Sequence, residues 1–471
     1  MEIISLKDNT LNQSLDGFKG SCDSLRKSLD SIAGKTFSQL SESNFIVFPP
    51  IANDADLKND DVVLNCRVDG DNLRISTGNV MGFFAVGKDF HFQIQSRFDS
   101  GNKNYFLHYM LQKVCNVAFT PRTNVGEDSF YDFIYFLFPA YLRKALNQGV
   151  YRAYVTREYN DANVHGPIDV ARHIRKNVPF NGKIAYHTRE YTTDNSITQL
   201  IRHTIEHIRS LSIGDAVLNG SDGKNRDDMS EIVAATPTYA RHDRISVIAK
   251  NLRPVTHPYY TAYEPLRKLC LAILRYQKLS YGESRTDSIN GILFDGAALW
   301  EEYLNVIIRD GVCDKEVVPG FGDRLVHPNN RTGFRRQHLF ELDDGTKNRC
   351  VYPDFLLGVD SKQGKILTAK AILDAKYRHL DGGLDRDTSF QILSYLLRFS
   401  SKKGYLLYPS EEQNADSKKF KLIQASESSE ITIETVPFRV PEYSEINSFE
   451  EFSKEIEKEE RRLLRKVLIN G

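Results

Sequence analysis

Two short apolar segments late in the chain each carry an aspartate inside what is otherwise a strand-like run. The segments are VYPDFLLGV (351–359) and ILDAKYR (372–378), and their aliphatic and aromatic residues are typical of buried strands. An unpaired carboxylate in a protein core is costly, so Asp354 and Asp374 need a partner. That partner is a salt bridge, a bound proton or a metal ion.

The residue that follows the second aspartate by two positions is Lys376. On a strand, Asp374 and Lys376 point to the same face. A simple ion pair between them would explain the acid without any function. The other interpretation is a metal site with a lysine beside it. A hairpin turn predicted at 360–364 would place the two acids on neighbouring strands.

The residue types of this hairpin fit an oxygen-ligated cation. Mg²⁺ usually takes one or two protein carboxylates and keeps several waters. We expect Asp354, Asp374 and the carbonyl of Ala375 to bind Mg²⁺, with Mn²⁺ as the alternative. The cation would activate a water and offset phosphate charge, and Lys376 would orient or deprotonate that water.

Two predicted helices flank the hairpin. The first has Asp295 as its N-cap and carries Glu301 and Glu302, and its apolar pattern does not decide which glutamate faces the site. The second, TSFQILSYLLRFS, carries Gln391 and Tyr395 on one face, because they are four residues apart. These two residues would contact phosphate or base, or support the metal ligands. A core tyrosine with a polar neighbour is the alternative.

The chain of 471 residues is long enough for several domains. Strand-like segments dominate 1–112, which we predict to be an N-terminal β-rich module. Residues 113–285 are predicted to be mainly helical, with an exposed loop at 219–230. Residues 286–471 are predicted to form an α/β domain with a mixed sheet, strands near 314–318, 337–343, 350–358 and 365–377, and a C-terminal helical tail.

Composition excludes several classes of protein. Lys plus Arg equals Asp plus Glu, 62 each, so global charge gives no support for nucleic-acid binding and does not exclude it. The six cysteines form no CxxC pair, which argues against a zinc ribbon and for reduced thiols in the cytoplasm. No apolar run is long enough for a membrane span. No GxxxxGK[ST] motif is present, so the chain is not a nucleotide-driven motor.

The set of Pro353-Asp354, Asp374-Ala375-Lys376 and Gln391-x-x-x-Tyr395 resembles the PD-(D/E)XK nuclease superfamily, with the last motif similar to its RecB-like branch. The wider set LWEEYL, YPDFLL, ILDAKYR, FQILSYLLRF and GYLLYP resembles the McrC family, the nuclease subunit of McrBC-type restriction systems, including LlaJI-like relatives. HGPID and REYTTDN resemble further family segments, with His165 where the family often has Arg. The similarity spans about 80–410.

The resemblance implies a Mg²⁺-dependent DNA endonuclease subunit of an anti-phage system. It also implies an AAA+ GTPase partner, a McrB-like hexamer that binds the GTP, and DNA substrates, methylated or not. By the same resemblance, the N-terminal module 1–112 docks this partner, together with the helical middle region. Related nucleases place their glutamate directly after an aromatic residue, which favours Glu301 as the fourth catalytic and metal-binding side chain. Two alternatives stay open: a non-catalytic regulator of the GTPase with a vestigial nuclease fold, and a stand-alone RecB-like nuclease.

Two further charged segments lie in the middle region. Residues 170–183 contain Arg172, His173, Arg175, Lys176 and Lys183, which would contact DNA phosphates, an acidic partner surface or only solvent. Residues 189–190, an Arg-Glu pair, form either a structural pair or part of a GTPase-stimulating element.

Overall fold

The computed structural model describes most of the chain, and its contacts divide into two compact units. Unit 1 is Met1–Val114, Thr120–Phe130 and Ile289–Gly471, and unit 2 is Cys115–Phe119 and Tyr131–Ser288. The residues described are 2–14, 29, 32–42, 45–48, 62–69, 72–86, 90–99, 104–115, 127–211, 213–219, 223–279, 291–313, 325–326, 337–362, 365–380, 382–423, 430–442, 446 and 448–469.

The described residues of the first part of the chain form strands and helices. They are β1 (Glu2–Lys7), β2 (Gln13–Ser14), α1 (Phe37–Glu42), β3 (Phe45–Phe48), β4 (Leu64–Asp69), β5 (Asn72–Thr77), β6 (Val80–Val86), β7 (Phe90–Gln95) and α2 (Tyr105–Cys115).

The middle part is mainly helical, as predicted, with one long hairpin. Its elements are α3 (Glu127–Leu146), β8 (Ala153–Asp161), α4 (Val170–Asn177), β9 (Ile184–Thr192), α5 (Ser196–Arg209), α6 (Gly214–Asn219), α7 (Lys224–Ala235), α8 (Arg244–Lys250) and α9 (Tyr263–Leu279). A 3-10 turn, Arg241–Asp243, precedes α8.

The last part of the chain alternates strands and helices. Its elements are β10 (Gly291–Asp295), α10 (Gly296–Cys313), β11 (Leu325–Val326), β12 (Gln337–Glu341), β13 (Lys347–Val351), β14 (Phe355–Leu357), β15 (Asp360–Lys362), β16 (Lys365–Thr368), β17 (Ala371–Ala375), α11 (Arg386–Arg398), β18 (Lys403–Ser410), β19 (Lys418–Lys421), β20 (Thr432–Arg439) and α12 (Phe449–Leu464). A π-helical turn, Arg465–Ile469, follows α12.

Strands from both ends of the chain form the first sheet of unit 1. Its order is β1-β7-β6-β10-β3, with β10 antiparallel to β6 and parallel to β3. This sheet and the small sheet β2-β5-β4 enclose an apolar core that includes Leu6, Phe84, Phe92 and Leu293. Residues 1–112 therefore share a sheet with a strand that lies about 200 residues further along the chain.

The second sheet of unit 1 is mixed, as the sequence predicts for the last part of the chain. Its order is β11-β14-β17-β18-β20-β19; β17, β18 and β20 are parallel, and the other pairs are antiparallel. Helix α11 connects the parallel strands β17 and β18 and packs its apolar face on the sheet through Ile392 and Leu396. At the start of α10, the Asp295 carboxylate accepts the backbone N–H groups of Ala297 and Ala298, so the predicted N-cap is confirmed.

Several predicted boundaries are wrong. The strand predicted at 350–358 is broken before Phe355, and the one at 365–377 is two strands. Pro353 cannot donate to a strand ladder, which explains the first break. The loop predicted at 219–230 is helical from Lys224, because Met229 and Ile232 bury one side of α7. The strand predicted near 314–318 lies outside the described residues.

No helix in the described part of the chain is both long and apolar enough to cross a membrane.

Candidate active site

Asp374 and Lys376 lie at the carboxyl end of β17 and its extension. Asp374 is only 2% exposed, and Lys376 Nζ lies 2.6 Å from its Oδ2. Asp374 Oδ2 is thus ion-paired with the lysine and accepts no further hydrogen bond from the described residues. The ion pair considered from the sequence is therefore present, and it leaves a buried carboxylate oxygen with unused acceptor capacity.

Asp354 directly precedes β14 rather than lying inside a strand. The register of β14 against β17 pairs Phe355 with Leu373, so its continuation places Asp354 opposite Asp374. The Asp354 carboxylate accepts the backbone N–H of Ala375 at 2.6 Å. Burial raises the pKa of Asp354 well above its usual range, and the nearby carboxylates of Glu301 and Asp374 raise it further.

A hydrogen-bonded chain connects the lysine to α11. Lys376 Nζ donates to Gln391 Oε1 at 2.8 Å, and Gln391 Nε2 donates to the Tyr395 hydroxyl at 2.9 Å. The Tyr395 hydroxyl donates to the carbonyl of Tyr352 at 3.1 Å. Burial and the charges of Asp374 and Asp354 raise the pKa of Tyr395, so it remains a neutral donor. The two residues on one helix face therefore orient the lysine and fix the segment before Asp354.

Helix α10 brings a third acid to the site. Glu301 is the neighbour whose charge raises the pKa of Asp354, whereas Glu302 lies beside Asn305 on the same helix. Trp300 fixes the helix against the sheet, because its Nε1 donates to the carbonyl of Leu407 at 3.2 Å. The same carbonyl accepts the backbone N–H of Lys376 at 2.8 Å. The helix and the lysine therefore share one anchor on β18.

The donor set of this site suits a hard divalent cation. Among the described residues, no group of three or more His, Cys, Asp or Glu side chains could hold a metal ion by itself. Two opposed carboxylates and a peptide carbonyl nevertheless match the oxygen ligands that Mg²⁺ takes alongside water. Burial raises the pKa of Asp354, and the charges of Glu301 and Asp374 raise it further; three carboxylates beside one lysine leave negative charge that a cation would offset.

One set of contacts to this site was not foreseen from the sequence. The Arg97 guanidinium donates to the carbonyl of Tyr377, the residue after Lys376. Their sequence separation is 280 residues, and no local pattern indicates such a contact.

In unit 2, the basic segment 170–183 divides into buried and exposed residues. Arg172 is buried, and it donates to the Glu158 carboxylate and to the carbonyls of Tyr159 and Tyr186. The expectation that Arg172 contacts DNA or a partner is therefore wrong, because its guanidinium already binds the β8–β9 hairpin. His173 is also occupied, since its Nδ1 lies 3.0 Å from Asn177 Nδ2. Arg175, Lys176 and Lys183 remain exposed.

The two residues of the Arg-Glu pair at 189–190 contact different partners. Glu190 pairs with Arg157 at 3.3 Å and accepts the hydroxyl of Tyr159 at 2.7 Å. The Arg189 guanidinium instead stacks on the exposed ring of Tyr154, at 4.5 Å from its centroid. Arg189 is thus presented at the surface of the hairpin, and Glu190 belongs to its internal hydrogen bonding.

Comparison with solved structures gives two similar complexes from Thermococcus gammatolerans. One is a refined half-complex from a tetradecameric assembly of McrB AAA+ hexamers with bound McrC, with 14% identity, a TM-score of 0.49, and coverage of 99% of this chain and 100% of that chain. The other is a cryo-EM structure of the McrBC complex, with 14% identity, a TM-score of 0.32, and coverage of 66% and 89%.

No curated protein shows significant sequence similarity to this chain. The family described as McrBC 5-methylcytosine restriction system component matches residues 75–409, which is more than half of the chain. This match includes the acids, the lysine and the Gln-Tyr helix described above. The chain therefore belongs to the family of McrBC 5-methylcytosine restriction system components.

Proposed function

We propose that this chain is the DNA-cleaving subunit of a McrBC-type restriction system, with a PD-(D/E)XK nuclease domain. The observation that carries the proposal is the meeting of Asp354, Asp374, Lys376 and Glu301 at the carboxyl end of β17, an interior strand of the mixed sheet. A structural role alone would need one buried ion pair. It would not need a second, partly buried carboxylate that faces the first and a third acid whose charge acts on the second.

Asp354, Asp374, the carbonyl of Ala375 and the carboxylate of Glu301 would hold Mg²⁺ or Mn²⁺. A cation bound there would lower the pKa of water and offset charge on the scissile phosphate. Hydrolysis forms a bond between a water oxygen and phosphorus and breaks one P–O bond to the sugar. Lys376 lies beside Asp374, where its ammonium stabilises the negative charge that develops on the phosphoryl oxygens.

Gln391 and Tyr395 would act as positioning residues for this chemistry. Gln391 accepts from the lysine, and its amide is in turn oriented by Tyr395. Because Gln391 is exposed, its amide is also able to reach a phosphate or a base. A substitution at Gln391 is expected to reduce the cleavage rate less than loss of Asp374 does.

The test is plasmid cleavage with Mg²⁺ and GTP by wild type and by Asp374→Asn, each with and without the AAA+ protein. Asp360→Asn, an exposed acid of the same domain, is the matched control. Cleavage by wild type and the control only in the presence of the partner is the expected result. Cleavage by wild type alone would favour a stand-alone nuclease. Absence of cleavage on methylated and unmethylated DNA, with GTPase stimulation intact, would favour a regulator with a vestigial nuclease fold.

Binding of the cation is measured separately from activity. Isothermal titration with Mn²⁺ is expected to show a site in wild type and in Asp360→Asn. The same titration of Asp374→Asn is expected to show affinity weakened at least tenfold, because half of the carboxylate pair is lost. Equal affinity in all three proteins would refute the metal assignment.

The partner-docking surface is proposed to include helix α4. Its apolar residues Val170 and Ile174 are four positions apart and are 63% and 57% exposed, and Val178, directly after the helix, is 65% exposed. The opposite side of the helix buries Arg172 and Asn177. A helix with its apolar stripe toward solvent is a characteristic of an interaction surface.

Exposed neighbours enlarge this surface. Ile168 and Phe180 are 50% and 67% exposed, and Arg175, Lys176 and Lys183 add positive charge around them. An apolar patch with a basic rim fits an apolar groove with acidic edges on the AAA+ GTPase partner. In this proposal, GTP and any recognition of DNA methylation belong to that partner.

Ile174→Asp tests the docking surface. We expect it to abolish co-elution with the AAA+ partner and stimulation of its GTPase, while leaving the thermal unfolding midpoint within about 2 °C of wild type. Ile245→Asp, at an isoleucine of another helix that is 67% exposed, is the matched control and should leave both readouts unchanged. Retained stimulation in Ile174→Asp would exclude α4 from the interface.

The cytoplasm is the proposed location. Cys66, Cys115, Cys270 and Cys350 are free thiols, which is typical of proteins in a reducing compartment.

A further inference from the structure

Two loops of the first sheet reach the segment that follows the candidate catalytic lysine. Asp8 follows β1, and Ser96, Arg97 and Phe98 follow β7; the parallel pairing of β1 and β7 places both loops at one end of the sheet. All four residues lie near Tyr377. The N-terminal strands therefore contribute directly to the surroundings of Lys376, although no motif in them is catalytic.

Arg97 makes the central contact. Its Nη2 donates to the Tyr377 carbonyl and, at 3.2 Å, to Asn79 Oδ1. Its guanidinium carbon lies 5.0 Å from the centroids of both the Tyr377 and the Phe98 rings. A planar group with several donors in a fixed arrangement suits this position, because it serves a backbone carbonyl, a side-chain amide and two rings together.

Asp8 holds Arg97 in place. The carboxylate of Asp8 is fully buried, and it accepts the backbone N–H of Arg97 at 2.5 Å. Its other oxygen lies 4.0 Å from Arg97 Nη1. Asp8 thus fixes the main chain of Arg97 by a hydrogen bond and lies beside its guanidinium as a long ion pair.

The Tyr377 side chain is enclosed by contacts from several directions. Its hydroxyl lies 2.8 Å from Ser96 Oγ, and its ring meets Phe98 edge to face at 5.2 Å. On another side, a Cβ added to Gly296 would lie 2.6 Å from Tyr377 Cε1. Gly296 begins α10, the helix that carries Glu301, so this ring also contacts the start of that helix.

These contacts fix the backbone on both sides of Lys376. On one side, the Lys376 N–H donates to the Leu407 carbonyl of β18 at 2.8 Å. On the other side, the next carbonyl, that of Tyr377, accepts from Arg97. Beyond Ala375 the chain leaves the regular strand, so the sheet does not supply this second constraint.

We propose that Arg97, held by Asp8, is a positioning residue for Lys376. The inference rests on the proposed nuclease function and adds a role for the N-terminal strands: they set the direction of the lysine ammonium toward Asp374. Arg97 itself touches neither substrate nor cation. Its loss should reduce the rate of the chemical step, since displacement of a reacting group by about 1 Å costs up to about a hundredfold.

The experiment compares Arg97→Lys with wild type in the complete complex with its AAA+ partner. Lysine keeps the charge beside Asp8, but its ammonium ends one bond short of the Arg97 Nη2 position and has no plane to lie against the Tyr377 and Phe98 rings, so it does not reproduce the contacts of the guanidinium. We expect the single-turnover cleavage rate to fall at least tenfold, with DNA affinity and Mn²⁺ affinity within twofold of wild type. Arg67→Lys, an exposed arginine of the same module, should match wild type in all three.

A second variant covers the case in which Arg97→Lys does not fold. Asp8→Asn with Arg97→Met removes both charges together, so no buried charge is left unpaired. The same loss of rate with DNA and Mn²⁺ binding intact supports the proposal. A wild-type cleavage rate in a folded variant overturns the proposal. An equal loss of cleavage rate, DNA binding and Mn²⁺ binding also overturns it, because such a loss indicates only a smaller folded fraction.

The two hypotheses fail in different ways. If wild type does not cleave and Asp374→Asn binds Mn²⁺ normally, the nuclease proposal fails and this inference fails with it. If wild type cleaves, Asp374→Asn does not, and Arg97→Lys cleaves at the wild-type rate, only the positioning role is refuted.

Discussion

Replacement of Asp8 by asparagine is expected to make the protein more stable at neutral pH, although it removes one member of an ion pair. The carboxyl group is buried, and burial raises its pKa from 3.8 to about 6, despite the opposing effects of Arg97 and its backbone N–H. Ionised Asp8 is therefore less stable in the folded protein than neutral Asp8. Asparagine resembles the neutral form and keeps an oxygen for the Arg97 N–H.

The size and sign of the effect follow from proton linkage. Between pH 3.8 and about 6 the folded protein binds the Asp8 proton more tightly than the unfolded chain does. The contribution of Asp8 to stability is thus fully present below pH 3.8, falls as pH rises, and is lost above about pH 6. Each unit of difference between the folded and unfolded pKa is worth about 1.4 kcal/mol, so the rise from 3.8 to about 6 gives a total loss of about 3 kcal/mol.

The assay is urea unfolding of wild type and Asp8→Asn at several pH values from 5 to 8. We expect the stability advantage of the variant to grow from pH 5 to about pH 6 and then to remain constant, at up to about 3 kcal/mol. A variant that is less stable than wild type at pH 8, or a difference that does not change with pH, would refute the reasoning. The first result would mean that the ion pair with Arg97 outweighs the burial of the charge.

Three further predictions concern the site and the hairpin. Glu301→Gln should reduce the DNA cleavage rate at least tenfold, whereas Glu302→Gln, at the next position of the same helix, should cleave like wild type. Equal cleavage rates of the two variants would remove Glu301 from the site. Because the pKa of Asp354 is raised, cation binding should release a proton, and the affinity for the cation should rise with pH until that pKa is passed. Calorimetry in buffers of different ionisation enthalpy measures the number of protons released, and zero release would contradict the prediction. Gly166→Ala should destabilise unit 2 by about 2 kcal/mol in thermal unfolding, because the new Cβ would lie 2.1 Å from the carbonyl oxygen of His187. An unchanged thermal unfolding midpoint would contradict this prediction and show that the backbone shifts at little cost.

The sequence predicts the parts of the site that depend on local periodicity. Asp374 and Lys376 share a strand face because they are two residues apart, and Gln391 and Tyr395 share a helix face because they are four apart. The strand break before Phe355 was missed because the segment is apolar on both sides of Pro353, although the proline itself was a usable signal.

Other parts depend on contacts between distant segments. The contact of Arg97 with Tyr377 and the insertion of β10 between β6 and β3 join residues separated by about 200 or more positions. Periodicity carries no information about such pairs. The orientation of α4 also depends on tertiary contacts. The spacing of Val170 and Ile174 predicts an amphipathic helix, but it does not predict that the apolar side faces solvent.

The place of β10 in the first sheet has a consequence for synthesis of the protein. In the described part of the chain, β3 pairs with no strand other than β10, so the sheet stays incomplete until residue 295 has left the ribosome. About 200 residues separate the end of β7 from β10, which at 5–20 residues per second takes roughly 10–40 s. During that interval β3 and one edge of β6 lack their neighbour, and the apolar side chains of β3 are open to association with other nascent chains. Production of the protein should therefore respond to the supply of ribosome-associated chaperones.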